Sequence, residues 1–354
     1  MASKQLVEHV LVTQSPLQDD IILAMFRQGL VDPVKSLIIT LRGPSTLTEE
    51  TAGCPIVDGD AFGRLRTKRH FYKVLKDNYK YIWRYRSAVV RRLAKEYVVY
   101  AAMYSTWFLR DLAEHAASVR VLEDGIGSYR EWAPWYQACL DWCPPKGSHH
   151  ARSFLHQCSY PVRYRYDQIG MTDLIFSADK YYVISPLAFP FANAIRKIIL
   201  DRVFVADQSG KYDGSIIWAT SPLVENKSIS MTAYLATLDL VVQKIAARGH
   251  LDIYIKLHPR QQIDTFNYKI YKEFLCNNQH GVSIHELSND TSLERLFMGS
   301  QATLLTAISS VMVYAHSFGR PVISYRQLFK PNHNEASLIP PDMEVLFAAM
   351  SEPL

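Results

Sequence analysis

The sequence is short of cysteine. Five in 354 residues is an odd count and too low for a secreted disulfide scaffold. It has no uninterrupted apolar run of about 18 residues, the length a membrane-spanning helix requires. Its opening, MASKQLVEHVLVTQSP, returns to polar residues before reaching the apolar length of a signal peptide. Charge of one sign is also scarce. Lys and Arg number 39 against 34 Asp and Glu, and a net charge of +5 is too small for a dedicated nucleic-acid binder. With 15 glycines and 17 prolines there is neither a collagen-like repeat nor a long flexible linker. These absences predict a cytoplasmic location, reduced thiols and no nucleic-acid partner. Cys139 and Cys143, with His149 and His150 nearby, have neither a CxxC spacing nor a second ligand pair, so no metal is expected there.

What is present is an alternation of short β-branched runs with amphipathic stretches, the signature of parallel α/β sheets. Strands are expected at 8–13, 36–41, 97–103 and 119–123, with a loop over 14–19, a helix over 22–28 stopped by Gly29, and helices over 66–95 and 105–118. Residues 131–168, rich in Trp, Tyr, Cys, Pro and Arg, lack a clear period and read as an insertion or cover. A further strand, a Pro-punctuated loop and a short helix occupy 179–200. The polar turn-forming stretch DQSGKYDG (207–214) places a domain boundary near 208/209. The alternation then restarts, with strands at 215–219, 251–256, 281–285, 302–306 and 321–325 and helices at 230–247, 265–276, 291–298 and 309–318. The expected architecture is two doubly wound units, 1–208 and 209–354, facing across a cleft. Ligands in such sheets sit beyond the carboxyl ends of the strands.

Three loops after strands carry chemistry. Glu123-Asp124-Gly125-Ile126-Gly127-Ser128 places two carboxylates at a strand end, where like charges raise one pKa toward that of a general base. Its glycines let backbone approach a ligand, but their spacing is not that of a dinucleotide fingerprint. The alternative reading of this loop is an acidic turn or helix cap. Lys256-Leu257-His258-Pro259-Arg260 ends another strand, with Lys256 and His258 on one side by the period of two. Cationic donors there suit a phosphate; a capped strand end with solvated cations is the alternative. Ser309 and Ser310 open a helix, whose N–H groups and hydroxyls bind phosphate oxygens unless Ser309 is simply the N-cap. Together they compose a carboxylate base in one unit and a phosphate grip in the other. That layout suits transfer from a nucleotide-activated donor. No DxD-like pair lies near the grip to hold a metal.

The motif Leu-Glu-Asp-Gly-Ile-Gly-Ser-Tyr (122–129) resembles the acidic-acidic-glycine motif of bacterial sialyltransferases of the polysialyltransferase and lipooligosaccharide sialyltransferase type. Lys-Leu-His-Pro (256–259) resembles their His-Pro motif and Ser309-Ser310 their paired serines, in the same order. Thr-Gln-Ser-Pro-Leu-Gln (13–18) is similar to the family's first loop, with Ser15 and Gln18 lining the cleft beside Gly125, Gly127 and Ser221. The resemblance spans roughly 8–325. It implies a GT-B fold and inverting, metal-independent transfer of sialic acid from CMP-sialic acid to a glycan hydroxyl of capsule polysaccharide or lipooligosaccharide. It assigns Glu123 as general base, with Asp124 as neighbour or alternate. His258 would contact the CMP phosphate and serve as acid, and Ser309 and Ser310 would hold the same phosphate. Lys256 and Pro259 belong to this grip, and Glu294 would accept from the ribose hydroxyls. Another CMP-activated ulosonic acid, or a non-catalytic glycan- or nucleotide-binding module, is the alternative.

Residues 64–95 hold twelve Lys or Arg and one acid, Asp77, interleaved with aromatics. Arg66, Lys68, Arg69, Lys73, Lys76, Lys80 and Arg84 are therefore expected to form an acceptor or membrane surface, for an acidic or lipid-linked glycan or an anionic bilayer. A solvated helical face is the bland alternative. The partners expected are a CMP-activated sugar and a glycan, with no cofactor. A peripheral place on the inner face of the cytoplasmic membrane extends the cytoplasmic expectation.

Overall fold

A computed structural model describes residues 6–41, 46–62, 71–102, 106–129, 177–205, 210–250, 252–288, 291–329 and 341–354. The chain divides into two compact units, residues 1–203 and 204–354. The segment 131–168, with Cys139, Cys143, His149 and His150, lies outside the described residues, as do Arg66, Lys68 and Arg69.

Among the described residues the sheet of the first unit has seven parallel strands: β1 (Val7–Thr13), β2 (Ser36–Thr40), β3 (Ile56–Asp58), β4 (Leu93–Ala101), β5 (Ser118–Leu122), β6 (Lys180–Val183) and β7 (Lys197–Ile199). Their order is β3-β2-β1-β4-β5-β6-β7. The winding reverses between β1 and β4, which is the topological switch point where such sheets take ligands. Val10, Leu11 and Val12 are fully buried, as strands covered on both faces require.

Helix α1 (Pro16–Arg27) begins where an extended Ser15 caps it and Pro16 fixes its first turn. Gly29, at φ +67°, ends the turn that follows. After the short α2 (Glu49–Ala52) comes α3 (Phe71–Ala88). The helix expected to run to residue 95 ends at Ala88. A 3-10 turn over Val90–Arg92 follows, and Leu93 already opens β4. Local period cannot mark that end, because strand pairing with β1 captures Leu93 onward. Tyr85 anchors α3 to α4 (Trp107–His115): its ring meets Trp107 edge-on at 5.2 Å and Phe62 at 5.6 Å.

The second unit repeats the plan. Its strands are β8 (Ile216–Ala219), β9 (Asp252–Lys256), β10 (Ser283–Glu286), β11 (Thr303–Thr306), β12 (Val322–Ser324) and β13 (Glu352–Pro353). They lie in the order β10-β9-β8-β11-β12-β13, with the switch point between β8 and β11. Helices α5 (Met231–Ala247), α6 (Pro259–Ile263), α7 (Thr265–Cys276), α8 (Leu293–Gly299) and α9 (Val311–Ser317) lie among them, and α10 (Pro341–Met350) packs on α9. Val241, Val242 and Ile245 of α5 are fully buried against Ile253 and Ile255 of β9 in one core cluster. Each such side chain contributes about 1.5–3 kcal/mol.

Candidate active site

In the first unit the acidic turn follows β5, one strand beyond the switch point. Its two carboxylates occupy different environments. Glu123 is fully buried. Its Oε1 accepts from the Tyr129 hydroxyl, and its Oε2 accepts from the N–H of Ile184 at 2.7 Å and of Ser185 at 3.3 Å. Its own N–H donates to the Tyr182 carbonyl at 3.0 Å. Glu123 thus ties β5 to the loop after β6. A general base must reach the proton it takes, and these donors occupy both of its oxygens. The structure places Glu123 as a buried anchor whose two oxygens both accept hydrogen bonds from the protein.

Asp124 is half-buried, and its N–H donates to Ser128 Oγ at 2.6 Å. Its Oδ1 accepts from Gln18 Nε2 at 2.8 Å. Gln18 is fully buried, and its Oε1 in turn accepts from the Gln14 N–H at 2.6 Å. Gln18 thus joins the loop after β1 to the loop after β5, across the carboxyl end of β4. It braces the turn instead of lining an open surface. Ser15, half-buried, is spent as the α1 cap, accepting from the Gln18 N–H at 3.4 Å. Gly125, at φ +48°, adopts a backbone that disfavours other residues. A Cβ on Gly127 would meet nothing within 4 Å. Two more groups at this edge are Gln14 Nε2 and Thr106 Oγ1, on the loops after β1 and β4. Both are buried without a hydrogen-bond partner among the described residues, a costly state that ligand sites commonly hold.

In the second unit the His-Pro turn follows β9. His258 is the N-cap of α6: its Nδ1 accepts from the Arg260 N–H at 3.1 Å, so Nε2 carries the ring proton. The His258 N–H donates to Gln261 Oε1 at 2.9 Å and Thr220 Oγ1 at 3.0 Å, and Thr220 donates to Gln261 at 2.5 Å. Pro259 sits at the first helical position, where its missing N–H costs nothing. Burial, helped by the Arg260 charge, lowers the His258 pKa to about 4. The ring is therefore neutral at pH 7 and offers an Nε2–H donor.

Lys256 is the last residue of β9, and its ammonium donates to the Thr291 carbonyl. The expected second cation of the grip is thus engaged by the protein. Glu294, half-buried in the first turn of α8, accepts from Ser292 Oγ at 3.0 Å.

The serine pair follows β11 at the switch point. Helix α9 begins at Val311, so Ser310, not Ser309, is its N-cap, and the Ser310 hydroxyl makes no capping bond. Ser309 Oγ accepts from the Val311 N–H at 3.3 Å. Ser221, on the loop after β8, is buried, and its hydroxyl donates to the Ile308 carbonyl at 2.8 Å. It stitches the two switch-point loops together and does not line a surface. Thr220 and Gln261 complete this frame, and only Gln261 carries a sequence signal, the His-x-x-Gln spacing of a capping box.

Of the basic set, Lys80 and Arg84 are exposed on α3, and Arg84 Nη1 reaches the Ala61 carbonyl at 3.5 Å. Lys73 and Lys76 lie on the same helix, with side chains outside the described set.

A family model described as alpha-2,8-polysialyltransferase matches residues 63–325, which contain the acidic turn, the His-Pro turn and the serine pair. The chain belongs to the alpha-2,8-polysialyltransferase family. A polysialyltransferase is a glycosyltransferase, and the chain is an enzyme of that class. No curated protein sequence matches it. Among solved structures it is similar to the S. aureus MnaA-UDP complex, with 10% identity and a TM-score of 0.50 over 90% of this chain and 79% of that one. The calicheamicin glycosyltransferase CalG4 has 12% identity and a TM-score of 0.49 over 98% and 85%. The wall teichoic acid polymerase TagF has 13% and 0.43 over 90% and 70%. The polysialyltransferase fold is α/β of the GT-B class, with two Rossmann-like units in one chain. Among its described residues no helix is long and apolar enough to cross a membrane.

Proposed function

We propose that this polysialyltransferase-family enzyme moves sialic acid from CMP-sialic acid to a glycan hydroxyl by a single inverting displacement, without a metal ion. One observation carries the reading: each motif follows the carboxyl end of a strand in a doubly wound sheet, at or beside its switch point.

The residues divide the chemistry. Asp124, the more accessible carboxylate of the acidic turn, takes the proton from the acceptor hydroxyl. The acceptor oxygen attacks the anomeric carbon as its bond to the CMP phosphate breaks. The bonding pair leaves on the phosphate oxygen. Positive charge builds on the sugar ring, as in glycoside hydrolysis. Negative charge builds on the phosphate, where the His258 Nε2–H and the Ser310 hydroxyl stabilise it. His258, neutral before the donor binds, acts as a hydrogen-bond donor; an anionic phosphate beside it raises its proton affinity. Glu294 accepts from the ribose hydroxyls. The MnaA structure was solved with UDP, which fits a nucleotide at this type of fold.

The experiment is calorimetric titration with CMP, CDP, UDP and GDP in EDTA. It is paired with a transfer assay using CMP-sialic acid and CMP-Kdo on a sialylated oligosaccharide. Metal-free binding of CMP over the others, with turnover of CMP-sialic acid, is the expected result. A UDP preference with a metal requirement overturns the reading, and turnover of CMP-Kdo alone replaces the sugar.

A further inference from the structure

Behind the His-Pro turn of the second unit runs a chain of buried polar side chains. Thr220 and Ser221 follow β8, Tyr234 lies near the start of α5 and Gln261 lies in α6. Gln261 and Tyr234 are fully buried, and Thr220 and Ser221 nearly so. The surroundings are apolar: Tyr234 belongs to the same core cluster as Trp218, Leu238 and Leu257.

The donors and acceptors have one consistent order. The His258 N–H can only donate, so the Gln261 oxygen faces it, at 2.9 Å. The Gln261 amide nitrogen is then turned to the Tyr234 hydroxyl, at 3.3 Å. Burial raises the Tyr234 pKa, so the phenol keeps its proton. It donates that proton to the Ser221 carbonyl at 2.9 Å. The Ser221 hydroxyl donates in turn to the Ile308 carbonyl at 2.8 Å, and Ile308 directly precedes Ser309 and Ser310. Thr220 closes the other end, accepting from the His258 N–H at 3.0 Å and donating to Gln261 Oε1 at 2.5 Å. A bonded path thus leads from the backbone of His258 to the backbone beside the serine pair. It joins the loops after β9, β8 and β11.

Stability does not require such a path. A buried hydrogen bond contributes little net, and well-packed apolar side chains serve a core as well. A fully satisfied polar network does something else: it fixes one arrangement of the backbone it touches. Here the side-chain polar atoms of all four residues are hydrogen-bonded. What they fix is the placement of two loops that each present a donor. His258 spends Nδ1 on the α6 cap and keeps the Nε2–H, and the Ser310 hydroxyl makes no capping bond.

We infer that Gln261 and Tyr234 are positioning residues for the donor nucleotide. Both act through the loops they tie together. They hold the His-Pro turn and the serine loop at one spacing, so that the His258 Nε2–H and the Ser310 hydroxyl meet the same phosphate. The inference rests on the reading of those two groups as phosphate donors.

The test is a pair of double-mutant cycles read by CMP titration, with the folded fraction of each variant measured by urea denaturation. Gln261→Leu and Tyr234→Phe should each weaken CMP binding by about tenfold. In the His258→Ala background, Gln261→Leu should cost less than about twofold more, because the group it positions is already gone. In the Ser310→Ala background the same should hold for Tyr234→Phe. Thr220→Ser keeps the hydroxyl and should bind CMP as wild type does, whereas Thr220→Val should bind it more weakly. In turnover, KM for the CMP-sugar should rise and KM for the acceptor should not. Additivity in either cycle, or wild-type CMP affinity in folded Gln261→Leu and Tyr234→Phe, overturns the inference. If Gln261→Leu does not fold, Tyr234→Phe and the two Thr220 variants decide the matter by the same criteria. Undiminished CMP binding by His258→Ala alone overturns the underlying phosphate reading instead, and it is seen without any variant of the frame.

Discussion

Gln18 Nε2 donates to Asp124 Oδ1 at 2.8 Å across 106 residues of sequence. This bond orients the carboxylate proposed to be the base. Gln18→Leu removes that donor, so kcat should fall more than CMP affinity does. A wild-type kcat in a folded Gln18→Leu variant would remove the positioning role.

Glu123 holds the loop after β6 through two N–H groups. Glu123→Ala strands those donors in a buried site, a loss of about 3 kcal/mol. Urea denaturation should read it as a lowered midpoint with an unchanged slope. Glu123→Gln keeps an oxygen for the N–H groups and should cost less than half as much.

His258 connects stability to pH. Its folded pKa of about 4 lies below the unfolded value of 6.5, so the unfolded chain binds more protons between them. Its contribution is complete above pH 6.5 and is lost as pH falls toward 4. Wild type should therefore lose more unfolding free energy than His258→Gln between pH 7 and 4.5, by up to a few kcal/mol. Parallel losses in the two proteins would contradict the neutral, buried ring. His258→Ala should also weaken CMP binding about tenfold.

The two serines separate by readout. Ser309 accepts from the Val311 N–H, so Ser309→Ala should lower thermal stability by about 1 kcal/mol. The Ser310 hydroxyl makes no capping bond. Ser310→Ala should leave the melting temperature alone and weaken CMP binding.

Much of the fold is legible because β-branched runs such as Leu37–Ile39 and Ile216–Ile217 are buried on both faces, so their apolar character is unbroken. The edge strands β3, β7 and β13 are three, three and two residues long, too short to carry a period. The motifs of the site are legible as loops after strands. The different surroundings of Glu123 and Asp124 are not, because they depend on donors to Glu123 from Ile184 and Ser185, 61 and 62 residues away. Likewise Ser221, on the loop after β8, and Gln18, in the first turn of α1, are polar, but long-range partners on Ile308 and Asp124 turn both inward.

The most direct test compares transfer by Asp124→Asn and Glu123→Gln, each corrected for its folded fraction. Asp124→Asn should lose kcat by about 100-fold or more, with CMP affinity and unfolding midpoint near wild type. Folded Glu123→Gln should keep measurable turnover. Near-wild-type turnover by Asp124→Asn, beside an inactive but folded Glu123→Gln, would contradict the assignment and return the base to Glu123.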